Sequence, residues 1–478
     1  MSELRIKAII AVFLLFSVSL AGIKLEDPRK MEFPARVEVT PPQVQCCTLS
    51  NGIGVFMLED HEVPLLDIIF SIRAGETRVL GDQAGLAEIL AEPATDGGSI
   101  KVPAEVFKDS LLRLGASFTY PANISGLAKI DFTLHLLSEH VEDLLPMVVD
   151  VIREPALPDH KLELIKNQKI TAYQTRNQSL LTATSRIGSH LLIGRESPTG
   201  RDITPATLDR INRNALAEFH ESCYRPSLTT IGVVGDFDPE AMINRLERFL
   251  GDWQEPLIEP WDEALRFGEP APPGVYLVPW PGSVQSCIVI GHDGLARNDP
   301  CYPESRLFQA IYGTSWFSRL FKEVRMERGL AYLIFGNLSS CIEEPGSFYT
   351  LCLTRPDATL EATRLMLEII EALRTEGVTQ EELELAKSSF LNSFPKYYTD
   401  PVKVLQERMD YVKHDYPVDF WEQLPERIER LTREDVNRFA REFLKPDSLI
   451  IVVGGDSTAF DGSLSELGEV QIIDPEVY

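Results

Sequence analysis

The sequence predicts an α+β protein built from two tandem homologous domains. Three observations carry this. Chemically matched residues recur at one offset: Phe219 and Phe439, Pro226 and Pro446, and Asp236 and Asp456 each differ by 220. The surrounding pattern recurs with them. A helical run, 208–219, leads through Tyr224-Arg-Pro226 into the apolar stretch 228–234 and Gly235-Asp236; a second, 428–439, leads through Pro446 into 449–453 and Gly455-Asp456. Between the halves, residues 253–273 are rich in proline and acidic side chains and end in Pro270-Ala-Pro-Pro-Gly274, the composition of a linker. A repeat of this length is far too long for a solenoid unit, so whole domains are duplicated. The expected boundaries are a signal peptide at 1–21, a first domain at 35–253, a linker at 254–274 and a second domain at 275–478.

The elements follow in chain order. Arg5 and Lys7 precede an apolar run of 13 residues, 8–20, interrupted only by Ser17 and Ser19, and Ser19-Leu-Ala21 offers small residues for signal cleavage. The run is short for a membrane span. An exported, periplasmic protein is expected, with a tether through an uncleaved signal anchor as the alternative. Gly22 follows the cleavage site, where a lipoprotein would carry Cys. Asn51-Gly-Ile-Gly54 is a turn signal between strand candidates, and 55–58 and 65–72 are rich in strand formers. Helices are expected at 81–91 and 103–114. Ile130-Asp-Phe-Thr-Leu-His-Leu136 alternates as a half-buried strand does. Leu144, Leu145, Val148, Val149 and Ile152 recur at helical spacing, and a more polar helix is expected over 161–176. The same strand–helix–helix unit returns as 349–353, 360–373 and 379–390.

Composition narrows the function. Acidic residues number 72 against 46 Lys and Arg, a net charge of −26, which disfavours nucleic acid and anionic membranes as partners. The seven cysteines (46, 47, 223, 287, 301, 341 and 352) include no C-x-x-C spacing, so neither a zinc ribbon nor a redox pair is indicated. Their pairing is not legible. The eight histidines include no i, i+4 pair.

A set of short stretches, in fixed order, resembles the insulinase and pitrilysin family of zinc peptidases, in particular its two-domain processing-peptidase-like members. They are Ala74-Gly-Glu-Thr-Arg78, Gly85-Leu-Ala87, Tyr224-Arg-Pro226, Gly235-Asp236, Phe249-Leu-Gly-Asp-Trp253 and the block 317–332. The resemblance implies that each domain is a mostly antiparallel sheet with helices packed on one face. Active members carry H-x-x-E-H directly after the Gly-x-Ala of the first helix: two imidazoles on one helical face for zinc, and a Glu as general base to the metal-bound water. Here those positions are Glu88, Ala91 and Glu92, and Pro93 follows, where the helix is expected to bend or end. The third ligand of the family is a Glu on a later helix. The matching helix offers Thr171 at the preferred register and Gln168 or Lys169 at others, with Glu163 off-register. No zinc, no other cofactor and no self-sufficient hydrolysis are expected. Glu88 and Glu92, one turn apart, are also compatible with a hard cation such as Ca²⁺ given further oxygens; the reading adopted is a solvated or salt-bridged helix face.

What the chain retains is Arg325 and Tyr332. A helix through Glu327 that breaks at Arg328-Gly329 and feeds a strand at 331–335 would bring the two side chains together. In active relatives, the resemblance implies, an Arg and a Tyr at this spacing face the zinc, hold the substrate backbone and stabilise the oxyanion. The competing reading pairs Arg325 with Glu323 or Glu327. Some enzymes of this family are pairs in which a zinc-free subunit supplies the Arg and Tyr to a zinc-bearing one. The chain resembles that zinc-free, non-catalytic subunit, with peptide substrate and a zinc-bearing homologue as partners. A glycine-rich substrate-gripping loop is not evident; only Gly313 stands near its place. The alternatives are a catalytically inert structural or interaction protein of the same fold, and a hydrolase using other residues.

Overall fold

The computed structural model describes residues 41–121, 128–257, 268–341, 346–414, 416–417 and 419–478. The signal read at 1–21 and the middle of the linker lie outside the described residues. Residues 41–478 form one compact unit.

Two six-stranded sheets share one strand order. The first contains β1 (Gln45–Thr48), β2 (Gly54–Glu59), β3 (Leu65–Ile72), β4 (Ser117–Thr119), β5 (Ile130–Leu137) and β6 (Thr229–Gly235), in the order β1-β2-β6-β3-β5-β4. The second half supplies β7 (Gly274–Pro279), β8 (Ser286–Asp293), β9 (Leu295–Ala296), β10 (Ala331–Leu338), β11 (Ser340–Cys341), β12 (Ser347–Thr354), β13 (Ile450–Gly455) and β14 (Val470–Ile472). Its sheet runs β14-β7-β13-β8-β12-β10, and β9 and β11 form a small parallel pair. Strand for strand, β2-β6-β3-β5-β4 matches β7-β13-β8-β12-β10. Only the outer edge differs, taken by the antiparallel β1 in one sheet and the parallel β14 in the other. Within the two large sheets most pairs are antiparallel; the parallel ones are β2–β6, β7–β13 and β7–β14. The duplication expected from the 220-residue offset is therefore one of topology.

The matched residues do matched work. Phe219 and Phe439 are buried, and Pro226 and Pro446 each open a short 3-10 turn into a central strand. Asp236 and Asp456 each hold the loop after the strand that pairs in parallel with theirs: Asp236 binds His61 Nδ1 at 2.7 Å, and Asp456 accepts the Gly282 N–H at 2.8 Å. Gly235 has φ +121°, and a Cβ there would lie 2.1 Å from the Leu65 carbonyl oxygen, so only glycine fits.

Helices of the first half are α1 (Leu86–Asp96), α2 (Ala104–Arg113), α3 (Val141–Arg153), α4 (Asp159–Gln174), α5 (Leu180–Ile193), α6 (Pro205–Arg210), α7 (Arg213–Cys223) and α8 (Pro239–Leu250). Those of the second are α9 (Tyr302–Gln309), α10 (Thr359–Thr375), α11 (Gln380–Ser393), α12 (Pro401–Lys413), α13 (Phe420–Arg430) and α14 (Arg433–Phe443). The single runs read over 208–219 and 428–439 are each two helices. The breaks fall before Asn212 and Thr432, again 220 apart, whose side chains accept from Ala215 N and Asp435 N as N-caps. The helix at Pro93 does not end there but continues to Asp96, because the carbonyl that proline leaves unpaired is only one of many and Pro93 O accepts the Gly97 N–H at 2.7 Å.

Each half buries its own core between its sheet and most of its helices. The second face of each sheet is covered by a helix from the other half. Ile187, Leu191 and Leu192 of α5 pack on Tyr276, Val278, Val289, Leu351, Ile450 and Val452. Val404, Leu405 and Met409 of α12 pack on Phe56, Leu58, Ile69 and Val234. Gly232 makes room for this crossing: a Cβ there would lie 2.9 Å from both Leu405 Cδ2 and Met409 Sδ. No helix among the described residues is long and apolar enough to cross a membrane.

Candidate functional site

The helix that carries Glu88, Ala91 and Glu92, α1, is fixed from outside. Gly85 at its N-cap has φ +97°. The buried Glu76 carboxylate, reaching from the Ala74–Arg78 stretch, accepts N–H groups of Gly85 (3.1 Å) and Glu88 (3.3 Å). That satisfies two donors the helix leaves open and places negative charge at its positive end. Burial pushes the Glu76 carboxyl up, against the pull of those two bonds. Arg201 clamps the same segment by donating to the carbonyls of Val79 and Glu76 at 2.7 Å each.

Ala91 is fully buried in the first core, and Glu92 is half-buried. Glu88 forms an ion pair with Lys169 on α4. Both side chains are largely covered, at 13 % and 24 % exposure, so the pair is more than a surface contact. The register between the two helices is thus set by Lys169, not by the Thr171 preferred from sequence, and Glu163 lies on the exposed side of α4. An ammonium group faces the position from which an imidazole would reach a metal. Among the described residues, no group of three or more His, Cys, Asp or Glu is placed to hold a metal ion. The residues present do not fit zinc: Ala91 offers no base, and Glu88 already neutralises a cation.

Arg325 and Tyr332 do come together. The chain from Leu320 to Glu327 is a π-helix, with the Leu330 N–H bonded to Val324 O at 2.9 Å, and it stops at Arg328 and Gly329 (φ +62°). β10 then begins at Ala331. A short π-helix, 310–314, precedes it, and Gly313 packs so closely on Gly336 of β10 that a Cβ would meet the Gly336 N at 2.3 Å. The turn is thereby pressed against the strand, and such segments are frequent at functional sites. The Arg325 guanidinium carbon lies 5.1 Å from the Phe321 ring centre and 5.9 Å from that of Tyr332. Tyr332 is 78 % exposed, as is Trp316 at 80 %, which meets Phe321 edge-on at 4.9 Å.

Three arginines stand in this stretch, and their fates differ. Arg319 makes a bidentate pair with Glu382 at 2.7 and 2.9 Å, and Arg328 pairs with Glu361 at 3.6 Å. Arg325 has no ion pair or hydrogen bond among the described residues, so the competing pairing with Glu323 or Glu327 is not adopted. Its cation rests on aromatic faces, leaving the N–H groups available. The Arg/Tyr cluster and the Glu88–Lys169 pair belong to different halves of the chain.

Residues 210–390 match the family model described as the peptidase M16 inactive domain. A Helicobacter pylori protein named as a non-peptidase homolog, YmxG, is 19 % identical over 84 % of this chain and 91 % of its own. A Bacillus subtilis protein named as an uncharacterized zinc protease, also YmxG, is 22 % identical over 72 % and 82 %. By sequence the chain is similar to the M16 peptidases, most directly over residues 210–390. Solved structures share the fold: a peptidase M16 inactive domain from Pseudomonas fluorescens (TM-score 0.75, 23 % identity, 86 % of this chain and 98 % of that one) and the periplasmic protease PqqL from Escherichia coli (TM-score 0.73, 15 % identity, 93 % and 50 %).

Within the M16 fold, most of the shared stretches prove to be scaffold. Glu76 caps α1; Arg225 pairs with Glu255 and donates to Pro256 O; Tyr224 is buried beside Phe132. The residues not singled out from sequence are Phe321 and Trp316, which line up with Arg325. Their signal was present, aromatic residues just upstream of the Arg in a largely polar turn, but the wide π turn that aligns them is not a pattern in the sequence.

Proposed function

We propose that this M16 homologue is the non-catalytic subunit of an exported, heteromeric zinc metallopeptidase. It binds peptide substrate and supplies Arg325 and Tyr332 to the active site of a zinc-bearing homologous partner. One observation carries the reading: a guanidinium without a carboxylate partner, set between Phe321 and an exposed Tyr332, in a chain whose zinc positions are Glu88, Ala91 and Glu92. Donors held in place and aimed at developing negative charge are what water attack on a peptide bond requires. The peptide is expected to add as a strand to a sheet edge. Export fits the apolar run at 8–20 and the periplasmic setting of the PqqL neighbour.

The test is reconstitution. The purified chain should cleave no peptide, and mixed with the zinc-bearing homologue that co-purifies with it from the cell envelope it should raise that partner's cleavage of a fluorogenic peptide. Cleavage by the lone chain, or a partner equally active without it, contradicts the proposal. The second reading, a catalytically inert interaction protein, is favoured by the name of the Helicobacter pylori relative. A complex whose members include no zinc-bearing homologue would support it.

A further inference from the structure

A cavity of about 580 Å³ lies at the far end of β10 from Tyr332, between α9, the end of α11, α12 and α13. At a strand rise of about 3.3 Å per residue it is roughly 20 Å from the Arg/Tyr cluster. Four cationic side chains line it, Arg297, Arg306, Lys396 and Lys403, against one carboxylate, Glu407. In a chain with 72 acidic and 46 basic residues this is a local inversion of charge. None of the four has an ion-pair partner among the described residues, although Arg408 beside them is paired with Glu422. Glu407 is near enough to Arg297 and Lys403 to feel both charges, but one carboxylate faces four cations.

Four buried polar groups at this wall have no hydrogen-bond partner: Arg297 Nε, Arg306 Nε, the indole Nε1 of Trp421 and the Tyr397 hydroxyl. Buried donors without acceptors are costly, and charged ones more so. The rest of the wall is aromatic. Tyr397 lies 5.2 Å from Trp421, and Phe394 lies 6.1 Å from Tyr397 and 6.2 Å from Trp421, centre to centre. Guanidinium groups and an indole N–H call for carboxylate oxygens, which accept in the forked geometry that arginine presents. The rings call for a flat apolar body. The volume suits a small molecule or one terminal residue of a peptide.

We propose that this cavity binds an aromatic carboxylate, either free or as the C-terminal residue of a peptide. It is a site separate from Arg325 and Tyr332 and does not depend on their role. The experiment is calorimetric titration of the full chain with N-acetyl-L-tryptophan and with N-acetyl-L-tryptophanamide, repeated with a short peptide ending in tryptophan as free acid and as amide. At least one acid should bind, with its amide weaker by about tenfold or more, since charge-assisted hydrogen bonds are lost. Tighter binding of the small acid assigns a free ligand; tighter binding of the peptide acid assigns a C-terminus. The double substitution Lys396→Gln, Lys403→Gln, at two exposed rim positions, should weaken binding with no change in melting temperature. Arg306→Gln should weaken it further. Equal binding of acid and amide, or binding of neither acid, overturns the proposal.

Discussion

Glu88 and Lys169 tie α1 to α4 through a largely covered ion pair. That Glu88 and Glu92 lie on one helix, a turn apart, was legible because helical spacing fixes which residues share a face. Lys169 was legible only as one of several candidates, since the register of one helix against another depends on packing that no local pattern records. The pair is testable. Lys169→Ala leaves the Glu88 carboxylate largely covered without its cation and should cost about 1–3 kcal/mol in urea unfolding. The double substitution Glu88→Leu, Lys169→Met should recover most of that loss, because removing both charges also removes their desolvation cost. Equal losses in the single and double variants would mean that the pair contributes through packing alone.

Among the elements, the helix breaks were written in the chain. Asn212 and Thr432 are N-cap residues, and Thr432-Arg-Glu-Asp435 forms a reciprocal capping box, yet the apolar spacing runs through both breaks and hides them. The π-helices at 310–314 and 320–327 had no such mark, because the sequence looks helical there and the close approach of Gly313 to Gly336 is a tertiary contact. The joint between α7 and α3 makes a pH prediction. His220 Nε2 donates to the Ile152 carbonyl at 2.8 Å and its ring stacks on Tyr224 at 4.5 Å. Burial lowers its pKa from 6.5 to about 4. As pH falls from 6.5 towards 4, the unfolded chain takes up a proton that the folded ring refuses, so stability present above pH 6.5 is lost across that window. The residue as a whole is only partly buried, so the loss is on the order of 2 kcal/mol. His220→Gln should flatten the fall in melting temperature between pH 6.5 and 4 relative to the parent chain. Parallel curves would show that the ring titrates freely.

At the scale of the whole molecule, the duplication and the α+β class were legible because Phe219 and Phe439, Pro226 and Pro446, and Asp236 and Asp456 sit at caps, turns and core contacts whose chemistry tolerates few substitutes. The exchange of α5 and α12 was not, since each carries a plain apolar face that names no partner. That exchange ties the halves into one unit. Leu405 is fully buried against the opposite sheet, so Leu405→Ala should cost about 2–5 kcal/mol. Calorimetry should still show one transition, with both halves melting together; two resolved transitions would mean that each half folds alone. Under the proposed function, such a unit would hold Arg325 and Tyr332 at a fixed place for the zinc-bearing partner. The direct test is kinetic. In the complex with the zinc-bearing homologue, Arg325→Ala with Tyr332→Phe should leave assembly and the partner's zinc content unchanged. It should lower kcat by about 10²–10³, the size of a lost oxyanion donor. Full activity of that mixed complex would contradict a catalytic role for the pair.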